Sequence, residues 1–111
     1  MIESYDFGKI RIDGKTYDHD VIIYPDEIKD WWREESHWVD IGDIREIIEK
    51  NPKIVIFGTG DSGIMKAPEE TIRFLEASGI EVIIEPTKKA CEIYNKLSKK
   101  QGVIAALHLT C

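Results

Sequence analysis

Few residues in this chain are equipped for chemistry: histidines at 19, 37 and 108, cysteines at 91 and 111, and a run of small residues, Gly58-Thr59-Gly60-Asp61-Ser62-Gly63. His108 and Cys111 suggest a base and a thiol nucleophile, since the thiolate is the reactive species and needs a base beside it. On a strand, positions three apart point to opposite faces, and an α-carboxylate next to Cys111 would disfavour its thiolate. The expected roles are therefore structural, with His108 a partly buried imidazole bonded to backbone, Thr110 completing the strand end and Cys91 a small core residue. No catalytic residue is assigned. The histidines are widely spaced, without an H-x-x-x-H pattern or clustered carboxylates, so neither metal nor cofactor is expected.

The glycine run can be read in two ways. Successive N–H groups from Gly58 to Gly63, helped by the Thr59 and Ser62 hydroxyls, could form an anion-binding nest. No lysine follows as a phosphate loop requires, the G-x-G-x-x-G spacing is absent, and Asp61 would repel an anion. The favoured reading is a tight turn where two layers approach, with a pocket at Gly58-Thr59-Gly60 as the alternative. His37 and Arg33, near Trp32, could line that pocket from above, Arg33 as the anion partner. Alternatively Arg33 pairs with Glu34 or Glu35 in solvent and His37 closes a turn. Thr87 follows Pro86 at a strand end and reads as a helix N-cap that shares the sheet edge of Gly58. Asn95, a poor helix former, is expected to bond a nearby loop.

These residues must be positioned by elements that the periodicity supplies. Phe7–Ile12 alternates, Asp13-Gly14 is a two-residue turn, and Lys15–Tyr24 resumes as a strand. Pairing Ile12 with Lys15 places Ile10, Tyr17, His19, Val21 and Ile23 on one face, with His19 partly covered. From Glu27 to Val39 the pattern is irregular, a loop or short strand, and three tryptophans within it cannot all be solvated. Asp40 and Asp43 open a helix whose face carries Ile41, Ile44, Ile47 and Ile48, ended by Asn51-Pro52. Ile54-Val55-Ile56-Phe57 suits a strand covered on both faces in the middle of a sheet. Pro68 is expected as a first helical residue, with Ile72, Leu75 and Phe74 on the buried side and Gly79 closing the helix. A strand over Ile80–Glu85, a helix from Pro86-Thr87 with its core on Ala90, Ile93 and Leu97, and a strand over Val103–Leu109 complete the order. That order predicts a largely parallel central sheet with helices on both sides, the leading hairpin packing on it or extending it.

Composition bounds the function. The 111 residues read as one domain, 1–111, with 42% hydrophobic and 32% charged side chains. With 21 acidic against 15 basic residues and a net charge of −6, a phosphate-binding surface is excluded, and with it nucleic acid and anionic membrane. No stretch approaches the roughly 20 apolar residues of a membrane span, and the N-terminus lacks signal-peptide regions, so a cytoplasmic protein with reduced thiols is expected.

The pattern Trp32-Arg33-Glu34, His37, Gly58-x-Gly60, Pro68, Gly79-Ile80, Thr87, Tyr94-Asn95, Gly102-Val103 and His108-x-Thr110-Cys111 resembles a small domain family of unknown function. Its members include the adipogenesis-associated domain-containing protein and an assembly factor of mitochondrial respiratory complex I. The resemblance implies a three-layer α/β fold, with a central mixed five-stranded sheet, one strand antiparallel, plus an additional β layer. It implies assembly or regulatory roles and no reaction, and it marks positions without attaching chemistry to them. The function expected is a non-catalytic protein-interaction or assembly-type module, contacting a protein partner or a second copy through Trp31–Trp38. The alternative is a small-molecule or anion-binding protein, or an enzyme, with its pocket at the glycine loop.

Overall fold

The computed structural model describes residues 1–111. Three short strands, β1 (Ile2–Asp6), β2 (Lys9–Ile12) and β3 (Lys15–Tyr17), form an antiparallel sheet of their own. The remaining elements are β4 (Val21–Ile23), β5 (Ile28–Asp30), α1 (Arg45–Glu49), β6 (Ile54–Thr59), α2 (Glu69–Ala77), β7 (Glu81–Glu85), α3 (Thr87–Leu97) and β8 (Val103–His108). Their strands make a second sheet in the order β5-β4-β8-β6-β7. β6 is parallel to both β7 and β8, while β4 is antiparallel to β8 and to β5, so β4 alone runs against the other four.

Handedness explains the layers. The chain steps from β6 outward to β7, then back across β6 to β8. Right-handed crossovers in opposite directions leave their helices on opposite faces. On one face Ile22, Val55, Phe57, Ile104 and Ala106 pack with Ile44, Ile47 and Leu75 from the α1 and α2 side, and with Trp31. On the other, Val21, Ile23, Ile56, Ala105 and Leu107 pack with Ala90 and Cys91 of α3 and with Ile2, Ile10 and Ile12 of the small sheet. Both sets follow the period of two that strands impose, which makes β4, β6 and β8 apolar on both faces.

The structure corrects several local expectations. Ile12 does pair with Lys15, but the strand predicted to run from Lys15 to Tyr24 breaks at Asp18–Asp20 and changes sheet. Val21, Ile22 and Ile23 are all buried and therefore belong inside the large sheet, while the polar Asp18-His19-Asp20 joins the two sheets. His19 sits on that connection with its side chain 45% exposed, edge-on to the Tyr17 ring, so it is only partly covered. An unpredicted strand, β1, precedes the hairpin and turns through Phe7-Gly8, where Gly8 has φ 79°. The middle strand is β8, with β6 beside it. Pro68 is the extended residue before α2, at ψ 157°, and the helix begins at Glu69. Thr71 and Leu75 form the buried side of α2, which leaves Phe74 exposed. In α3 the core extends beyond the predicted Ala90, Ile93 and Leu97 stripe, with Ala90 and Cys91 buried and Ile93, Tyr94 and Leu97 partly buried beside them. Asp40 and Asp43 do open the first helical segment, the Asp40 N–H donating to Asp43 Oδ2 at 2.9 Å, but it starts as a 3-10 turn over Ile41–Ile44. No helix is long and apolar enough to cross a membrane.

Candidate functional site

Sheet register brings the chain's most unusual cluster together. Val21 pairs with Leu107 and Ile22 with Ala106, so one step further out Asp20 lies across from His108, at the ends of β4 and β8. Asp20 Oδ2 is 2.7 Å from His108 Nδ1, and Oδ1 accepts the Leu109 N–H at 2.8 Å. Arg33 Nη2 donates to the same Oδ2 at 2.7 Å and to the Ser36 carbonyl at 2.6 Å, which Nε also reaches at 3.2 Å. The side chains of Arg33 and His108 are only 2% and 4% exposed. With the Asp20 side chain 19% exposed, this is a largely buried ion pair with an imidazole on its flank.

The guanidinium is further held by stacking. Its Cζ lies 4.3 Å from the centroid of the Trp31 ring, and Trp31 in turn stacks on Phe57 at 6.0 Å. Nη1 has no hydrogen-bond partner, and the indole face is the compensation available to it. A column of Phe57, Trp31 and Arg33 therefore runs from the core to the Asp20 carboxylate. Burial alone would raise the Asp20 pKa, but hydrogen bonds from His108, the Leu109 N–H and Arg33 outweigh it and hold the carboxyl below its ordinary value.

The glycine loop is closed by the chain itself. Asp61 N–H donates to the Thr110 carbonyl at 2.6 Å and Ile64 N–H to the Cys111 carbonyl at 3.1 Å. The loop's donors are thus aimed at the segment after β8. The Thr87 hydroxyl donates to the His108 carbonyl at 2.5 Å and accepts the Gly60 N–H at 2.8 Å, so it ties α3, β6 and β8 together. Thr87 is the first residue of α3, not its N-cap. A Cβ on Gly58 would come within 2.8 Å of the Leu107 side chain and 3.2 Å of Thr87 Cα. Thr59 donates its hydroxyl to the Glu85 carbonyl at 3.1 Å. Each of these marked positions serves the close approach of layers, and none of the surface concavities is lined by Gly58, Thr59 or Gly60.

Of the residues singled out from sequence, the structure gathers Arg33, His37, His108, Thr87, Gly58, Thr59 and Gly60 at one end of the sheet. His37 is exposed and meets the edge of His108 at 5.3 Å between ring centroids. Arg33 neither faces an anion pocket nor pairs with Glu34 or Glu35, and His108 bonds a carboxylate through its ring rather than backbone. Trp32 and Asn95 lie elsewhere. Asn95 brackets Ile2, accepting its N–H and donating to its carbonyl, both at 2.8 Å, which fastens β1 to α3. Asp20 is the residue that sequence reasoning missed. The only signal for it is its place one residue before a triply buried strand, and that becomes informative once the β4–β8 register is known.

Trp32 is 77% exposed, whereas Trp31 beside it is 5% exposed. It stands at an open groove of about 550 Å3 whose walls include Asp30, Glu34, Asp40, Asp43 and Glu46. Three of these carboxylates already have partners: Asp40 takes the Trp38 indole N–H, Asp43 the Asp40 N–H, and Glu46 the Lys29 ammonium. Asp30 faces His19 at 3.3 Å with its side chain 82% exposed.

The two thiols differ in environment. Burial, with a lesser contribution from Glu92, pushes the Cys91 thiol up to about 12, while Cys111 is exposed. A disulfide-exchange reagent at about pH 8 is expected to label Cys111 in the native protein and Cys91 only on unfolding. Equal native rates would show that α3 does not shield its thiol.

Comparison with known proteins adds the following. A family model described as "Protein of unknown function (DUF498/DUF598)" matches residues 2–108. Among solved structures, the chain is similar to a conserved hypothetical protein from Pyrococcus horikoshii OT3, with 32% identity and a TM-score of 0.92 over 100% of this chain and 99% of that one. It shares its fold with a Bartonella henselae protein described as an outer membrane protein, at 22% identity and a TM-score of 0.84 over 99% and 94% of the two chains. A Bordetella pertussis protein described as a Mth938-like domain is similar at 19% identity and a TM-score of 0.70 over 97% and 84%.

Proposed function

The chain belongs to the DUF498/DUF598 family of unknown function, and from that premise we propose that it is a protein-interaction module of the assembly type, acting as one cytoplasmic domain over residues 1–111 and docking its partner on Trp32. The observation that carries this reading is the exposure of that one indole on a braced segment. Trp31 anchors the segment in the core and Arg33 in the ion pair, and between them Trp32 projects almost fully into solvent. A large aromatic on rigid backbone loses little conformational freedom on binding, which is the property of an interface hot spot. The surrounding carboxylates favour a basic partner surface and disfavour face-to-face pairing of two copies of a chain whose net charge is −6. The resemblance of the Trp32-Arg33-Glu34 to His108-x-Thr110-Cys111 pattern to the family of the adipogenesis-associated domain-containing protein and the complex I assembly factor supports the same role.

The test is Trp32→Ala in the full chain, scored by partner recovery from lysate and by titration of the recovered partner. Affinity is expected to fall by about 2 kcal/mol, roughly 30-fold in Kd. Stability should stay within about 0.5 kcal/mol, because the residue is 77% exposed in the free protein. Unchanged recovery and affinity would sink the proposal. Trp31→Ala is unsuitable as the probe, since Trp31 is a core residue.

A further inference from the structure

We propose that Thr110, His108 and Asp20 form a nucleophile, a base and an orienting carboxylate that accept an acyl group from an activated ester or thioester. The argument begins with the proton on His108. An ionised carboxylate only accepts, so the 2.7 Å contact between Asp20 Oδ2 and Nδ1 requires the proton on Nδ1. Arg33 Nη2, 3.1 Å from Nδ1, is a second donor converging on the same oxygen. In the neutral ring the lone pair is therefore on Nε2, and the polar side-chain atom in reach of Nε2 is Thr110 Oγ1, at 3.5 Å. That distance is long for a resting hydrogen bond, and such contacts in unliganded sites shorten when substrate binds.

Access and support fit the same assignment. The imidazole is 4% exposed while Thr110 is exposed, so an acyl donor can reach the hydroxyl from solvent with the base held behind it. The Leu109 N–H fixes the other carboxylate oxygen, so Asp20 is oriented at both ends. The Cys111 N–H, the amide that follows the nucleophile, donates to no backbone carbonyl, and that position commonly supplies an oxyanion donor. Thr110 and His108 are the catalytic residues here, and Asp20 is a positioning residue. Arg33 Nη2 and His108 Nδ1 share Oδ2, so the carboxylate is not reserved for the imidazole. The substrates that ask least of such a site are acyl groups with a good leaving group, such as aryl esters and thioesters.

In the step itself Thr110 Oγ attacks the acyl carbonyl carbon, forming a C–O bond as its proton passes to Nε2. Collapse of the tetrahedral adduct breaks the bond to the departing phenolate or thiolate, which takes the proton from Nε2. The product is an ester of Thr110, and water activated by the same nitrogen hydrolyses it to the free acid and the regenerated hydroxyl.

The experiment treats the full chain with p-nitrophenyl acetate, follows phenol release and locates the acetyl group by peptide mass spectrometry. The expected result is a burst of phenol with acetyl on Thr110, retained in Thr110→Ser and reduced at least tenfold in Thr110→Ala. Both variants should fold as wild type, because the side chain is at the surface. Acetyl on lysines alone, or a Thr110→Ala burst equal to wild type, would overturn the proposal.

Discussion

Replacing Asp20 by Ala is expected to cost about 3–5 kcal/mol of stability, the loss incurred when one partner of a buried ion pair is removed and the other is left behind. Arg33 is the charge left behind, its side chain 2% exposed, already stacked on Trp31 and with Nη1 unbonded. The Leu109 N–H and the His108 Nδ1–H would lose their acceptor in the same change. Urea unfolding followed by tryptophan fluorescence measures this directly, because Trp31 lies against Arg33. A loss below about 1 kcal/mol, the ordinary effect of a surface change, would show that the cluster is solvated and that its geometry contributes little.

The same carboxylate makes an acid-side prediction whose sign follows from its depressed pKa. A carboxyl more acidic in the folded than in the unfolded state contributes stability above its unfolded value, here about 3.8, and loses that contribution as the pH falls toward the folded value. Urea midpoints of wild type measured between about pH 6 and about pH 3 should fall more steeply than those of a folded Asp20→Asn variant, which has no proton to take up at this position. Parallel slopes would remove Asp20 from the acid response.

Gly60→Ala is the second large effect. Gly60 has φ +104°, a region costly to any residue with a Cβ, and the added carbon would stand 2.3 Å from the Cys111 carbonyl carbon and 2.6 Å from the Thr110 oxygen. These are backbone atoms in a segment pinned by the Asp61 and Ile64 N–H groups, so they cannot swing aside as a flexible side chain would. Strain of about 1–3 kcal/mol and overpacking of similar size combine to a loss of about 3 kcal/mol or more. Amide exchange should accelerate at Asp61 and Ile64 before the rest of the sheet opens. Wild-type stability with unchanged exchange would mean that the segment after β8 does not occupy the loop. Gly63, at φ +71° but with its nearest neighbours 3.5 Å away, should tolerate Ala better and serves as the control.

The architecture was legible because its signals are local. The apolar runs at Ile54–Phe57 and Val103–Leu107 are buried on both faces, as β6 and β8 require. The Asp13-Gly14 turn and the Ile12–Lys15 register are decided by two residues and their neighbours. Helix boundaries at Asn51-Pro52 and Gly79 rest on backbone preferences that tertiary contacts do not overturn. Where local reading failed, a sheet decided instead: Lys15–Tyr24 alternates well enough for one strand, yet Val21–Ile23 is buried on both sides and is drawn into a different sheet from Lys15–Tyr17.

The candidate site follows the same division. Residue types, together with the family pattern, located the glycine loop, Arg33, His37, Thr87 and His108, and the order of strands placed most of them at one sheet edge. Partners could not be read in this way. Asp20 and His108 are 88 positions apart and meet because β4 is antiparallel to β8, and Asp20 and Arg33 meet because the tryptophan segment folds back so that Trp31 stacks on Phe57. Sequence by itself determined the α/β class, the order of elements from the helix after Asp40 to the last strand, the glycine-permitted turns and the acidic balance, since each depends on residues within a few positions or on composition. Only the tertiary structure decided that Arg33 is a buried counter-ion, that the glycine loop is filled by Thr110 and Cys111, and that Trp32 alone of the neighbouring pair faces water. Those are questions of which distant backbone arrives at a given place, and strand register settles them.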